Sequence, residues 1–254
     1  MILAVNIGNS NIRFGIFLND EKCVQSWTIP TSIGDKNTYF EIKNLFLKYK
    51  PEKDIVDIVI GSVVPNYTHQ ISSMLYRVSG IKPTIVDRSV STKVNISHVS
   101  SKLGTDLYAN AVYADAEYDA KKAKIVVDFG TALTFICVDK ESTLKGAVIA
   151  PGVKTSFNSL LTSTAQLSDI QWNIPKKILG DTTEKCLQSG IIFGYLSMVE
   201  GVIDRIEQEI GEETCVIATG GLCELYAPLT PKIQHCDILH TLKGLMILNY
   251  CSIL

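Results

Sequence analysis

The chain has 254 residues, of which 46% are hydrophobic and 20% charged, enough apolar side chains for one large domain or two small ones. Its 24 basic and 26 acidic residues give a net charge of -2, and they form neither a basic stripe for nucleic acid nor a charged disordered tail. No uninterrupted apolar run reaches the ~18 residues of a membrane span, so we expect no nucleic-acid and no membrane partner.

The first half of the chain has the pattern of alternating strands and helices. Two apolar, β-rich runs joined by the letters GNSN predict a hairpin whose bend contains Gly8. A helix that ends before Pro51 follows, because its apolar residues recur three and four positions apart. The pattern then predicts a buried strand at 57–65, a helix at 66–80, a short strand at 83–87 and a helix at 101–118.

The second half repeats this pattern. It predicts a hairpin at 124–138 with its bend at Gly130, a strand at 143–153, a long helix at 183–211, a strand at 214–222 and a closing helix at 241–250. The apolar stripe of the long helix is predicted to comprise Leu187, Ile191, Tyr195, Met198, Val202 and Ile206. Glycines at 190, 194 and 201 each cost a helix roughly 1 kcal/mol against alanine, which indicates a close-packed neighbour such as another subunit.

Together these elements predict an α/β fold of two related halves around a central nucleotide cleft. No linker rich in proline or serine divides them, and we place the boundary within the letters EYDAKKAK, so that the first half comprises residues 1–118 and the second residues 119–254. A cleft between two such halves is the usual place for a small ligand.

The two predicted bends match each other, which indicates phosphate binding. Aligning Gly8 with Gly130 puts Asn6 on Asp128 and Asn9 on Thr131. Glycine lets the backbone turn sharply, so that successive N–H groups can converge on an anion, and Asn9, Ser10 and Thr131 add uncharged donors. Glycine hairpins are common without any ligand, but the letters ATGG add Gly220 and Gly221, where an adenine or its ribose could approach the backbone. A P-loop, a dinucleotide fingerprint, protein-kinase signatures and a serine-hydrolase elbow are absent.

Asp106, in the letters LGTDLYAN, lies at the start of a predicted helix. A carboxylate at that position is often a helix cap. The alternative is a base that positions an acceptor hydroxyl for phosphoryl transfer, with Gly104 and Thr105 beside it.

Eight motifs in order, spread over nearly the whole chain, resemble those of type III pantothenate kinase: VNIGNSN, GSVVPNYT, LGTDLYANAVYA, VVDFGTALTF, GAVIAPGV, LGDTTEKCLQSGIIFGY, ATGGL and LHTLKGL. The resemblance implies the actin/hexokinase-like ATPase fold with two ribonuclease-H-like halves. It implies ATP-dependent phosphorylation of pantothenate, the first step of coenzyme A synthesis. It also implies Mg²⁺, a monovalent cation (K⁺ or NH₄⁺), a cytoplasmic location and a homodimer.

The same resemblance assigns roles to individual residues of this chain. The stretch from Asn6 to Arg13 becomes an ATP-binding turn, and Thr131 a second ATP contact. Asp106 becomes the general base, and Asp128 binds the monovalent cation. Thr183 contacts the pantothenate of the neighbouring subunit. With the two glycines of ATGG, the full set of expected site residues is Asn6, Gly8, Asn9, Ser10, Asn11, Arg13, Gly130, Thr131, Gly220 and Gly221 for ATP, and Gly104, Thr105, Asp106, Leu107 and Thr183 for pantothenate.

Several positions depart from the family's pattern. Asn6 stands where the family has an aspartate that helps to hold Mg²⁺, and Leu107 stands where it has an arginine that grips the substrate. The other departures are Ser97 for a tyrosine, Ile136 for an aspartate, and Ala147 for the second glycine of a pair with Gly146. These changes leave three hypotheses: an active pantothenate kinase, a catalytically weak or silent homologue that acts as a binding or regulatory protein, and a kinase for another small hydroxyl acceptor.

Overall fold

A computed structural model describes residues 1–18, 22–31, 36–49, 55–100, 102–164 and 170–253. The chain forms two compact units, which we call unit 1 (Met1–Glu117 with Leu239–Leu254) and unit 2 (Tyr118–Ile238). The prediction of two α/β halves is therefore confirmed. The division of the chain differs from the expected boundaries of the two halves in one respect: the closing helix packs in unit 1 rather than in the second half.

Unit 1 is built on a five-stranded sheet. Its strands are β1 (Ile2–Ile7), β2 (Asn11–Phe17), β3 (Cys23–Pro30), β4 (Asp57–Ser62) and β5 (Thr84–Val86), and its helices are α1 (Lys36–Tyr49), α2 (Pro65–Ser79), α3 (Thr105–Glu117) and α7 (His240–Ile253). The strand order is β3-β2-β1-β4-β5. The hairpin β1–β2 is antiparallel, whereas β1, β4 and β5 run parallel to one another. The carboxyl ends of β1, β4 and β5 therefore lie at the same edge of the sheet.

Unit 2 repeats this plan. Its strands are β6 (Ala123–Phe129), β7 (Ala132–Val138), β8 (Leu144–Pro151), β9 (Thr214–Gly220) and β10 (His235–Cys236), and its helices are α4 (Val153–Thr162), α5 (Thr183–Ile210) and α6 (Cys223–Tyr226), with a 3-10 turn at Ala227–Leu229. The order β10-β9-β6-β7-β8 equals that of unit 1 when β6 takes the place of β1. The internal match around Gly8 and Gly130 therefore extends to the topology of both sheets.

Glycines explain why α7 belongs to unit 1. A Cβ added at Gly244 would lie 2.0 Å from the carbonyl oxygen of Ala109, so α7 lies directly against the backbone of α3. On its other side, Leu245 fills the space that a Cβ on Gly61 of β4 would need, with its Cδ2 2.3 Å away. The Asn249 amide donates to the carboxylate of Asp57 at the start of β4, at 2.5 Å. Helix α7 is thus held between α3 and the sheet.

The buried face of α5 differs from the predicted stripe. The buried residues of α5 are Gln188, Ser189, Ile192, Val199 and Ile203, whereas the predicted residues are half-buried and Met198 is 38% exposed. The helix is therefore turned by about one residue relative to the prediction. By length and apolar composition α5 could also cross a membrane, a test that the core helix of a soluble protein passes as well.

Candidate active site

The first glycine bend joins β1 to β2 in unit 1. The N–H of Gly8 donates to the carbonyl of Asn11 at 2.9 Å, and a Cβ at Gly8 would lie 3.1 Å from the same oxygen. Thr31 holds the bend from outside, because its hydroxyl donates to the carbonyl of Gly8 at 2.8 Å and its N–H donates to that of Ser10 at 2.9 Å. Asn9, Ser10 and Asn11 are exposed. No pattern in the sequence indicated a role for Thr31, which lies 23 residues from Gly8.

Asn6 lies one residue before the end of β1, directly opposite Arg13 of β2. Both side chains are partly exposed. Residues directly opposite each other across an antiparallel pair share one face of the sheet, so the amide and the guanidinium belong to the same surface beside the bend.

The predicted acceptor motif lies near this bend within unit 1. The N–H of Val63 donates to the carbonyl of Ile7 at 3.1 Å, which places the residue after β4 beside the end of β1. A Cβ at Gly104 would lie 3.3 Å from Cγ1 of Val63 and 2.5 Å from Oδ1 of Asp106. Glycine at 104 therefore leaves the room that the carboxylate of Asp106 occupies.

Asp106 is the second residue of α3, and Gly104 directly precedes this helix. Its Oδ1 accepts the N–H of Leu107 at 2.8 Å. Burial raises the pKa of the Asp106 carboxyl above its ordinary value, and the backbone N–H groups of Leu107 and Asp106 oppose that rise. A partly desolvated carboxylate with a raised pKa accepts a proton more readily than an exposed one, as a general base requires.

The departures from the family pattern lie in different surroundings. Leu107 is 9% exposed and Ile136 is 1% exposed, so both contribute to the core of their units. Ser97 and Ala147 are exposed. Ser97 lies in an Asx turn, where its N–H donates to the side-chain oxygen of Asn95 at 2.9 Å.

The second glycine bend joins β6 to β7 in unit 2, and Asp128 lies beside it. A Cβ at Gly130 would lie 3.3 Å from Oδ1 of Asp128, and one at Gly220 only 2.4 Å from the same oxygen. Gly220 has a φ of +91°, in the region that favours glycine. The carboxylate of Asp128 therefore lies between the β6–β7 bend and the end of β9, and Gly221 is exposed in the turn that follows.

Backbone contacts hold Thr131 in this second bend. The N–H of Gly152 and the hydroxyl of Thr155 donate to its carbonyl at 3.0 Å and 2.7 Å. A Cβ at Gly152 would lie 2.3 Å from that carbonyl oxygen, so only glycine allows this approach. The motif GAVIAPGV contains Gly152, but the sequence assigned it no role in the site. Thr155 carried no signal at all.

Thr183 lies far from both bends in the sequence, and it is the exposed first residue of α5. The preceding Thr182 caps the helix by accepting the N–H of Lys185 at 3.3 Å. Exposure and a helix N-terminus make Thr183 available to an anionic or hydroxyl ligand outside this unit.

No group of three or more His, Cys, Asp or Glu side chains that could hold a metal ion occurs in the described part of the chain. A cation at Asp128 would therefore combine one carboxylate with backbone or nucleotide oxygens. That donor set fits a weakly bound monovalent ion, and it fits Mg²⁺ when the ion arrives with the phosphates of a nucleotide.

Sequence comparisons agree on one family. The sequence model described as type III pantothenate kinase matches residues 2–205. The type III pantothenate kinase of Finegoldia magna is 36% identical over 256 residues, covering 98% of this chain and 97% of the relative. Those of Syntrophus aciditrophicus and Shouchella clausii are also 36% identical, and they cover 98% and 96% of this chain with 98% and 97% of their own length.

Solved structures support the fold class. The ethanolamine utilization protein EutJ from Carboxydothermus hydrogenoformans has a TM-score of 0.59 at 13% identity, covering 97% of this chain and 89% of its own. A ROK family glucokinase from Streptomyces griseus, solved with glucose and AMPPNP, has a TM-score of 0.54 at 12% identity, covering 97% and 98%. The predicted actin/hexokinase-like ATPase fold is therefore confirmed.

Proposed function

The chain belongs to the type III pantothenate kinase family, and from that premise we infer that it phosphorylates pantothenate with ATP to give 4′-phosphopantothenate, the first step of coenzyme A synthesis. The observation on the chain itself that best supports this reaction is the carboxylate of Asp106, which has a raised pKa. It lies beside Gly104, whose Cβ position is 3.3 Å from Val63, and the N–H of Val63 donates to the carbonyl at the end of β1.

Asp106 is proposed as the base that prepares the acceptor. Its carboxylate accepts the proton of the primary hydroxyl of pantothenate as the hydroxyl oxygen attacks the γ-phosphorus of ATP, and ADP departs from the opposite side. Gly104 and Thr105 are proposed to bind the acceptor beside Asp106, and Leu107 to supply apolar contact there. Since Leu107 offers no donor, the acceptor must be held by other polar groups.

The two glycine bends are proposed to bind ATP. In unit 1 the residues are Asn6, Gly8, Asn9, Ser10, Asn11 and Arg13, whose exposed amides, hydroxyl and guanidinium suit phosphate oxygens. In unit 2 Gly130 and Thr131 are proposed to contact the phosphates, and Gly220 and Gly221 to contact the adenosine.

Two cations complete the proposal. Mg²⁺ enters with the phosphates of ATP as part of the substrate, and the Asn6 amide would contact it more weakly than a carboxylate would. Asp128 is proposed to hold K⁺ or NH₄⁺ with its carboxylate. Both ions would neutralise charge on the phosphates.

The family resemblance further supports a cytoplasmic homodimer in which Thr183 contacts pantothenate bound by the neighbouring subunit. Gly190 and Gly194 agree with such a partner, because a Cβ at either position would meet no atom within 4 Å among the described residues, apart from its own helix backbone and chain neighbours. Packing against the described residues therefore does not explain why these two positions are glycine.

A coupled assay with ATP, Mg²⁺, K⁺ and pantothenate tests the reaction. We expect turnover by the unmodified protein and a loss of at least about a hundredfold in Asp106→Asn, since the amide keeps the shape but cannot accept the proton. Equal rates in the two proteins would rule out Asp106 as the base. No turnover in either would favour the silent binding protein, and turnover of other hydroxyl acceptors alone would favour a different kinase.

A further inference from the structure

Two cysteines of unit 2 lie side by side next to the proposed adenosine turn. Cys223 is the first residue of α6 and is 0% exposed, whereas Cys236 is the second residue of β10 and is exposed. Both are free thiols. Cys223 comes soon after Gly220 and Gly221 in the chain, so it belongs to the segment that leads from β9 into α6.

The register of the sheet places both thiols on one face. Strand β10 runs parallel to β9 with Cys236 beside Ala218, and residues in register on neighbouring strands point to the same side of a sheet. The side chain of Ala218 packs in the hydrophobic cluster that also contains Cys223. In agreement with this placement, the thiol of Cys223 donates a hydrogen bond to the sulfur of Cys236. The two sulfur atoms are therefore in contact while both are reduced.

The two thiols differ in reactivity. Burial raises the pKa of both, but the hydrogen bond from Cys223 opposes the rise at Cys236, so the sulfur of Cys236 is the first to become a thiolate. Cys236 is also the cysteine that solvent reaches. A small-molecule disulfide therefore meets Cys236 first, and Cys223 lies in place to complete the exchange.

The resulting reaction is an exchange in two steps. The Cys236 thiolate attacks one sulfur of the small disulfide, which forms a mixed disulfide and releases one small thiolate. That thiolate takes up a proton, and Cys223 gives up its own. The Cys223 sulfur then attacks the sulfur of Cys236 and expels the second small thiolate, which is protonated in turn. The two protein thiols lose two electrons and two protons, and the small disulfide is reduced to two thiols.

The new bond requires one of the two cysteines to move. A disulfide holds its sulfur atoms at about 2 Å, closer than a hydrogen bond does. Strand β10 resists such a movement, because the N–H of Asp237 donates to the carbonyl of Ala218 at 2.9 Å. On the other side of the cysteine, the N–H of Gln234 donates to the carbonyl of Val216 at 3.0 Å. The displacement therefore falls on the side of Cys223.

The far end of α6 is fixed as well. The ring of Tyr226 stacks on that of Phe129 with centroids 5.0 Å apart, and its hydroxyl donates to the carbonyl of Ile191 at 3.0 Å. A pull on the first residue of α6 is therefore taken up before the helix, at Gly221 and Leu222. This is the turn that the proposed function places against the adenosine.

We propose that Cys223 and Cys236 form a reversible disulfide, with a small-molecule disulfide as the oxidant, and that this cross-link lowers the affinity of the chain for ATP. The cross-link follows from the contact of the two thiols alone. Its effect on ATP rests on the proposed function, because it requires adenosine to bind at Gly220 and Gly221. Phosphorylation would then respond to the thiol redox state around the protein.

The test compares the full chain after incubation with reduced and with oxidised glutathione. Alkylation, digestion and mass spectrometry identify the cross-link, and calorimetry with ATP and Mg²⁺ measures binding. We expect a disulfide-linked peptide pair containing Cys223 and Cys236 in the oxidised protein, an affinity for ATP about tenfold lower, and reversal of both by dithiothreitol. Cys236→Ser should show neither change. Cys186→Ser removes an exposed cysteine outside the pair and should keep both changes, so it is the matched control.

The other outcomes separate the two parts. A glutathione adduct on Cys236 without the linked peptides would overturn the cross-link, and cross-linked protein with unchanged affinity for ATP would overturn its effect on the nucleotide. Loss of affinity on oxidation of Cys236→Ser would assign that effect to another thiol. A chain that binds ATP in neither state would contradict the proposed function together with the effect on ATP, whereas the linked peptides would still decide the cross-link.

Discussion

At the scale of single residues, Asn6 is the departure with the clearest physical consequence. Its amide lies beside the first glycine bend and opposite Arg13, on a partly exposed surface. A carboxylate there could bind Mg²⁺ of the nucleotide or pair with Arg13, whereas an amide does either only weakly. Under the proposed function, this position would set how strongly the site holds the metal-bound nucleotide.

The variant Asn6→Asp tests this interpretation. We expect kcat/KM for ATP at limiting Mg²⁺ to rise about tenfold, because a charged ligand replaces a neutral one. Adding Leu107→Arg should raise kcat/KM for pantothenate further, although Leu107 is 9% exposed and an arginine there must find room. Asn95→Asp is the control, because it also converts an exposed amide to a carboxylate but lies outside the proposed ATP-binding residues. Unaltered Mg²⁺ dependence in Asn6→Asp would show that more of the site is remodelled than this position.

Gly220 is the residue on which the geometry around Asp128 depends. Gly220→Ala would strain a backbone with a φ of +91° and place a Cβ 2.4 Å from Oδ1 of Asp128 and 2.6 Å from the backbone of Phe129. We expect a loss of about 3 kcal/mol in the free energy of unfolding, measured by denaturant titration. Gly211 also has a left-handed φ, +62°, but a Cβ there would meet no atom of the described residues within 4 Å beyond its chain neighbours. Gly211→Ala therefore measures the backbone strain alone, about 1 kcal/mol. Equal losses in the two variants would contradict the close contact with Asp128.

At the scale of elements, local patterns predicted the two hairpins and the long helices. Glycine bends between β-rich runs are encoded within about ten residues, which is why β1–β2 and β6–β7 could be derived. Helices α2 and α5 both end at a glycine in the left-handed region, Gly80 and Gly211, so their ends were encoded as well.

Elements that depend on distant contacts were missed. The prediction omitted β3, α4, α6 and β10, and β10 is a two-residue strand that exists only because it pairs with β9. The face of α5 was wrong because Gln188 and Ser189 are polar yet buried: the Gln188 amide donates to the carbonyl of Gln171 at 2.8 Å, and the Ser189 hydroxyl to that of Ile178. Hydrophobic periodicity cannot detect a polar residue that is buried with its hydrogen bonds satisfied.

At the scale of the whole molecule, the return of α7 to unit 1 follows from packing rather than from chain order. The glycines at 244 and 61 permit contacts with Ala109 and Leu245 that any side chain would prevent. A sequence shows such glycines but not which partner they approach. For the same reason, the pairing of Thr31 with Gly8 and of Gly152 with Thr131 was not predictable.

The assembly of two chains is the remaining question at this scale, and α5 makes it testable. Gly190 and Gly194 are exposed, and a leucine at either position would enter open space in a single chain and favour the helix by up to about 1 kcal/mol. If the proposed homodimer packs on this face, Gly190→Leu would instead collide with the partner. We therefore expect sedimentation to give twice the mass of one chain for the unmodified protein, and a dissociated but folded chain for Gly190→Leu. Gln70→Leu, which adds the same side chain to an exposed position of α2, should remain dimeric. A Gly190→Leu protein that sediments as the dimer would show that the interface does not include this face of α5. The proposed contact of Thr183 with the neighbouring subunit's pantothenate would then lose its support.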